Sequence, residues 1–205
     1  MNDMSYFNIV AQSSESTVVT EYKPQAKRSE AYQSETALEQ EFICLLQELG
    51  YEYLPIHTEK DLIDNLRHQL EAVNSCRFSD EEWRRFFGEV LCNPQNGIVE
   101  KTRFIQEDHV QVLCRDDGSS KNIMLIDKKN IHNNRLQVIN QYAVSKEEGA
   151  AHDNRYDVTV LVNGFPMVHI ELKRRGVPIR EAFNQIERYQ RDSFWAASGL
   201  YEYVQ

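Results

Sequence analysis

Apolar positions recur at helical spacing in the first half of the chain and at alternating spacing in the second. Leu38, Phe42, Leu45, Leu46 and Leu49 form a stripe that predicts a helix, with Ser34 as its N-cap and Gly50 as its stop. A second helix is predicted over 58–73 on Leu62, Ile63, Leu66 and Leu70. A third is predicted over 80–91, where Ser79 followed by Glu82 makes a capping-box pattern. The period then shortens to two. Val110, Val112 and Cys114 alternate with polar neighbours, Asp116-Asp117-Gly118 marks a turn, and strands are predicted over 123–126 and around Leu136, Val138 and Ile139. The stretch 145–154 is polar and aperiodic and predicts a loop. Two strongly apolar strands follow, 156–162 and 167–172, joined around Asn163-Gly164, and then a helix over 179–193. Residues 201–205 read as the opening of another strand. Residues 1–30 are polar and predict a loosely ordered or partner-dependent arm, with the folded domain over 31–205.

Composition narrows the class. The 205 residues are 41% hydrophobic and 27% charged, as in an ordinary globular domain. Apolar runs of membrane-spanning length and a secretory leader are both missing, which predicts a cytoplasmic protein with no membrane partner. The cysteines, Cys44, Cys76, Cys92 and Cys114, are scattered and make no metal-binding spacing. They are expected to be reduced and mostly buried. The net charge is −9, from 23 basic and 32 acidic side chains, which argues against nucleic-acid binding by bulk attraction. Residues 151–205 carry seven of each sign, so the acidic excess lies wholly in the first 150. A local basic edge remains available, formed by Lys173, Arg174, Arg175 and Arg180, with Arg155 upstream.

The chemistry-bearing segment runs from Arg155 to Lys173. An acid, Asp157, opens one apolar strand, and the next strand ends in Glu171-x-Lys173. Residues two apart share a strand face, so Glu171 and Lys173 point the same way. Charges at the end of a buried strand need a partner or a task. Two carboxylates suit Mg²⁺, which is satisfied by one or two of them plus substrate phosphate. The lysine suits the attacking water and the phosphate, as orienter, charge stabiliser or base. Phosphodiester hydrolysis is the reaction that uses this set. The geometry imposes a condition. A plain two-residue loop at Asn163-Gly164 would pair Val162 with Phe165 and put the two acids on opposite faces. A three-residue loop with Gly164 in a bulge would pair Leu161 with Phe165 and bring the acids to one face. An odd-length loop or a bulge is therefore required, and Pro166 points to irregular pairing.

Asp157 with Glu171-x-Lys173 resembles the PD-(D/E)xK nuclease signature, with Tyr156 where the signature has proline. On the last helix, Gln185 and Tyr189 resemble the QxxxY motif of the RecB-like branch, which contacts DNA and supports the site. From about Ser34 to Gln205 the chain is similar to the N-terminal nuclease region of the motor subunits of type I restriction enzymes. The similar stretches are SETALEQEFICLLQELGY, NRLQVINQY, RYDVTVLVNGFPMVHIELKRRG and IREAFNQIERYQRDSFW. The resemblance implies a restriction-endonuclease-like fold, of α/β class bordering on α+β, with a mixed central sheet flanked by helices. It implies a Mg²⁺-dependent endonuclease acting on double-stranded DNA, with Asp157 and Glu171 as metal ligands and Lys173 as the third catalytic residue. Glu39 on the first helix is the expected completing acid, with Glu35 second. Arg155, Arg174, Arg175 and Arg180 are expected at phosphates. The implied partners are methyltransferase and specificity subunits and helicase-like domains that use ATP. No phosphate-binding GxxxxGK[ST] loop occurs in the chain, so the nuclease domain of a longer polypeptide is expected. Two rival readings remain: a catalytically silent DNA-binding or docking module of the same fold, and a stand-alone repair nuclease.

Overall fold

The computed structural model describes residues 7–12, 18–22, 34–144, 154–174, 176–189 and 199–204. At the N-terminus, within the segment read as an arm, β1 (Phe7–Gln12) and β2 (Val18–Tyr22) pair antiparallel. The centre is a four-stranded sheet in the order β3 (Glu52–Tyr53), β6 (Leu136–Val144), β7 (Asn154–Val162), β8 (Phe165–Ile170). β3 runs parallel to β6, and the other neighbours are antiparallel, so the sheet is mixed. Helix α1 (Glu35–Glu48) covers one face, where Ile43 and Leu46 meet Val138 and Val158. Helix α2 (Glu59–Val73) belongs to the larger core on the other face, where Leu62, Leu66 and Leu70 are fully buried with Ile139, Leu161 and Phe165. Because both faces are covered, β7 reads as a nearly continuous apolar run. The fold is α/β, a mixed sheet flanked by helices, of restriction-endonuclease-like architecture.

Local signals account for the element ends. Ser34 Oγ accepts the Ala37 N–H at 3.1 Å. At the other end of α1, Gly50 has φ +92°, and the N–H groups of Gly50 and Tyr51 bond back to Gln47 and Leu46, a Schellman stop. Ser79 and Glu82 form the capping box of α3 (Asp80–Arg85), whose helix continues as a π-helical stretch, Phe86–Leu91. Trp83 and Phe86 pack on Phe78 in the core.

Several expectations fail for identifiable reasons. On α1 the buried residues are Glu39, Ile43 and Leu46, while Leu45 and Leu49 are 50% and 75% exposed. The helix is rolled toward the sheet by a polar contact that Glu39 makes, described below. In β4 (Val110–Cys114), paired with β5 (Ser120–Met124), the period is right and the face is reversed. Leu113 is buried, and Val110, Val112 and Cys114 face outward. Of the four free cysteines only Cys92 is buried, where burial pushes its thiol up to about 12. Helix α4 (Ile98–Gln106) was not anticipated, because its buried positions are Ile105 and a lysine, Lys101. That lysine pairs with Glu202. The segment expected to open a strand is a 3₁₀ turn, Leu200–Tyr203, and all four of its residues are buried. One-sided alternation has no meaning there: Tyr201 packs on Tyr142 and Tyr156, and the Tyr203 hydroxyl donates to the Leu91 carbonyl at 2.8 Å. The loop expected over 145–154 lies outside the described residues up to 153. Helix α5 (Ile179–Tyr189) is described to Tyr189, and the rest of the span to 193 lies outside them.

The β7–β8 hairpin meets the condition set by its sequence by an unexpected route. Its loop has two residues, Asn163 and Gly164, both with positive φ (+50° and +86°), and Val162 pairs with Phe165. The parity changes in the strand itself. Leu161 pairs with Pro166 but Val160 with Val168, so Met167 is an extra, bulged residue. Gly164 serves a second purpose, since a Cβ there would lie 2.6 Å from Leu66 Cα on α2. Gly164→Ala is therefore expected to destabilise the fold by ~2 kcal/mol or more, from left-handed strain and displacement of α2. Urea denaturation measures this. A loss no larger than that of a surface substitution would show that the turn can move off α2.

Candidate active site

The bulge at Met167 sets the register of everything beyond it. Val158 pairs with Ile170, so the next positions outward, Asp157 and Glu171, stand opposite each other. The Leu172 N–H, past the end of β8, donates to Asp157 Oδ2 at 3.0 Å. Lys173 Nζ donates to Glu171 Oε1 at 2.7 Å. The acids and the lysine thus meet at the open end of the hairpin. The Glu171 side chain is fully buried. Its other oxygen, Oε2, is reached by no donor in hydrogen-bond geometry among the described residues, and His169 Nε2 stands 3.4 Å from it. His169 packs edge-on against Tyr156 and Tyr189.

Helices α1 and α5 frame this end of the sheet. A groove of about 530 Å³ is lined by Glu35, Lys173, Arg174, Val177, Glu181 and Gln185. The first-helix acids divide in a way the sequence did not reveal. Glu35, the second choice, lines the groove, and its Oε1 accepts the Arg174 N–H at 3.4 Å. Glu39, the first choice, is buried and bonded by the side-chain amides of Asn140 and Gln141 on β6. Those two amides were missed. The signal available was two adjacent amides set between the apolar Ile139 and Tyr142 of β6. On α5, Gln185 donates to the Tyr189 hydroxyl, which donates to the Arg155 carbonyl at 2.9 Å. Tyr189 is buried and thus pins the start of β7 two residues before Asp157. The side chains of Arg155, Arg174 and Arg180 are exposed, and Arg175 lies outside the described residues.

The family model described as "Type I restriction enzyme R protein N terminus" matches residues 32–205. The chain belongs to this family. Among its relatives is the "Type I restriction enzyme EcoprrI endonuclease subunit" of Escherichia coli, 47% identical over 197 residues, which are 96% of this chain and 62% of that protein. The "SauMSSORF170P endonuclease subunit" of Staphylococcus aureus (strain MSSA476) is 38% identical over 180 residues, 85% of this chain and 18% of that protein. A Staphylococcus saprophyticus relative, the "SsaAORF53P endonuclease subunit", is 38% identical over 179 residues with the same coverages. The chain therefore spans 62% of the length of the first of these relatives and 18% of the other two.

The electrostatics of this R-protein N-terminal domain separate its two acids. Burial, reinforced by the charge of Glu171, pushes Asp157 up to about 6 against the pull of the Leu172 N–H and Lys173. Burial also raises Glu171, but its contacts with His169 and Lys173 outweigh it and hold this carboxyl below its ordinary value. Lys173 is shifted upward: burial lowers it, and Glu171, Asp157 and Glu35 more than compensate. Among the described residues no group of three or more His, Cys, Asp or Glu is arranged to hold a metal ion. Two apposed carboxylates, one with a buried oxygen that no donor among the described residues meets in hydrogen-bond geometry, nevertheless fit a hard cation that seeks oxygen and retains waters. No helix among the described residues is long and apolar enough to cross a membrane.

A pH dependence follows from Asp157. Its folded-state pKa is raised, so the folded protein holds this proton more tightly than the unfolded chain does. That stabilisation is complete below the ordinary aspartate value and is lost as pH rises toward about 6. Glu171 has the opposite sign, and its contribution is lost as pH falls. Asp157→Asn, neutral at every pH, is expected to gain stability over the parent between pH ~4 and 7, by about 1–2 kcal/mol after discounting for the solvent at this open site. Urea denaturation at four pH values checks this. A stability difference independent of pH would rule out the raised carboxyl.

Proposed function

We propose that this chain is the nuclease domain of a type I restriction enzyme's R subunit and hydrolyses phosphodiester bonds of double-stranded DNA with Mg²⁺. The observation that carries this reading is the register that sets Asp157 against Glu171 with Lys173 bonded to Glu171. Membership of the R-protein family supports it.

Asp157 and Glu171 would hold the cation, Glu171 through the buried Oε2, which stands 3.4 Å from His169 Nε2. A cation held there would acidify a water and neutralise charge on the phosphate. Lys173, kept protonated by the surrounding acids, orients the attacking water and stabilises negative charge at phosphorus. The water oxygen would form the new P–O bond as the P–O bond to the ester oxygen breaks; one proton of the water ends on the displaced oxygen, which leaves as a hydroxyl, and the other passes to the new phosphate or to solvent. Tyr189 and Gln185 hold the start of β7 in place. Arg155, Arg174, Arg175 and Arg180 take the neighbouring phosphates and read no sequence, which is left to a specificity subunit. Residues 31–205 form the nuclease domain in this reading, with residues 1–30 as an arm. It acts in the cytoplasm, with the methyltransferase and specificity subunits. The helicase-like domains of the same polypeptide consume the ATP.

In the complete enzyme, Asp157→Ala, Glu171→Ala and Lys173→Ala are each expected to reduce DNA cleavage by about a thousandfold or more, with ATP hydrolysis unchanged. Gln185→Ala and Tyr189→Ala should cost about tenfold, as supporting contacts do. Cleavage at the parent's rate by Lys173→Ala would refute the assignment. The chain alone, with a net charge of −9, should bind DNA weakly. Its affinity should fall steeply with salt, and the log–log slope should drop by roughly 0.9 for each phosphate-contacting arginine removed. Salt-independent binding to one sequence would contradict the phosphate roles.

A further inference from the structure

Neighbouring residues of a strand point to opposite faces, yet Asn140 and Gln141 of β6 both reach α1. Asn140 Nδ2 donates to Glu39 Oε1 at 2.6 Å, and Gln141 Nε2 donates to Glu39 Oε2. The backbone explains this. Gln141 has φ +53°, a left-handed conformation that glutamine adopts only against strain.

Beyond Gln141 the strand is inverted. Val138 lies against α1 and Ile139 in the larger core, as alternation requires. Continued alternation would send Tyr142 to the α1 side, but it lies with Ile139 in the larger core. β7 changes in the same way, with Val158 against α1 and Tyr156, two residues earlier, in the larger core. The residues at the two inversions are Gln141 and Asp157, and they face each other. Asn140 pairs with Val158 and Tyr142 with Tyr156, so theirs is the rung missing from the described ladder. Asp157 stands where the sheet changes phase. The inversion also seats Tyr156 among Tyr142, Tyr189, Tyr201 and His169, beside Glu171.

We infer, resting on the nuclease reading above, that Gln141 and Glu39 are positioning residues. The left-handed backbone at Gln141, latched by Glu39, inverts β6 and β7 at the Asp157 rung and delivers that carboxylate to Glu171 and the divalent cation. Glu39 acts through Gln141, with both of its oxygens engaged by amides, and does not ligate the cation.

The test uses Mn²⁺ as probe on the purified chain, followed by paramagnetic broadening of the Leu172 amide resonance, whose N–H bonds to Asp157. Melting curves check folding. Gln141→Val, β-branched and averse to left-handed φ, and Glu39→Ala, which removes the latch, should each need about tenfold more Mn²⁺ for half-broadening. Gln141→Asn tolerates left-handed φ and should stay within about threefold of the parent. A merely structural role would lower melting temperatures without separating Val from Asn in Mn²⁺ demand. Folded Gln141→Val broadening at the parent's Mn²⁺ concentration overturns the inference, and so does equal weakening by Val and Asn. If Gln141→Val does not fold, Glu39→Ala decides, and parental behaviour there overturns it. Asp157→Ala separates the two readings. If it broadens like the parent, or if the parent itself stays sharp, the cation reading falls and this inference falls with it. If Asp157→Ala abolishes broadening while the Gln141 and Glu39 variants do not change it, the inference alone falls.

Discussion

An antiparallel strand pair has two parities, and a shift of one residue exchanges them for every side chain beyond the shift. In this domain the extra residue is Met167. With a two-residue turn at Asn163-Gly164 and no bulge, Asp157 would face Ile170, a hydrophobic residue, and Glu171 would face away from it. With Met167 unpaired, Asp157 faces Glu171. Pro166 stands beside the bulge and lacks an N–H for the ladder, and Gly164 locks the turn against the α2 backbone. The site therefore depends on the packing of the far end of the hairpin, where no chemistry is proposed.

The carboxylates brought together in this way are poorly satisfied by the protein alone. Burial and mutual repulsion raise Asp157, while Lys173 and the Leu172 N–H only partly offset them. One buried oxygen of Glu171 is bonded by no donor among the described residues. Such an arrangement costs stability, and perturbed acids of this kind cluster at sites kept for function. Tyr189, Tyr156, Tyr142 and Tyr201 pack ring on ring beneath the strands that carry the acids, and Tyr189 ties α5 to the start of β7.

The sequence by itself determined both ends of α1, the cap of α3, the identity of the chemical groups and the need for a parity change. Ser34, Gly50, Ser79 and Glu82 act within a few residues of their own positions, so their roles are local and legible. The Asp157, Glu171 and Lys173 pattern is likewise short-range, because alternation along a strand is a property of the backbone. Tertiary structure decided which of two permitted solutions was used. It placed the bulge at Met167 and not in the turn, and it packed Gly164 against Leu66, a contact between residues distant in the chain. It rolled α1 so that Glu39 met Asn140 and Gln141 while Leu45 and Leu49 faced outward, because a buried carboxylate must find donors and those donors lie about a hundred residues away. It placed Glu35 in the groove in place of Glu39. It also turned Tyr201–Tyr203 into the core as a 3₁₀ segment, because rings buried on all sides have no reason to alternate. Periodicity reports how far one face is buried. It carries no information about which distant group a buried polar residue will meet.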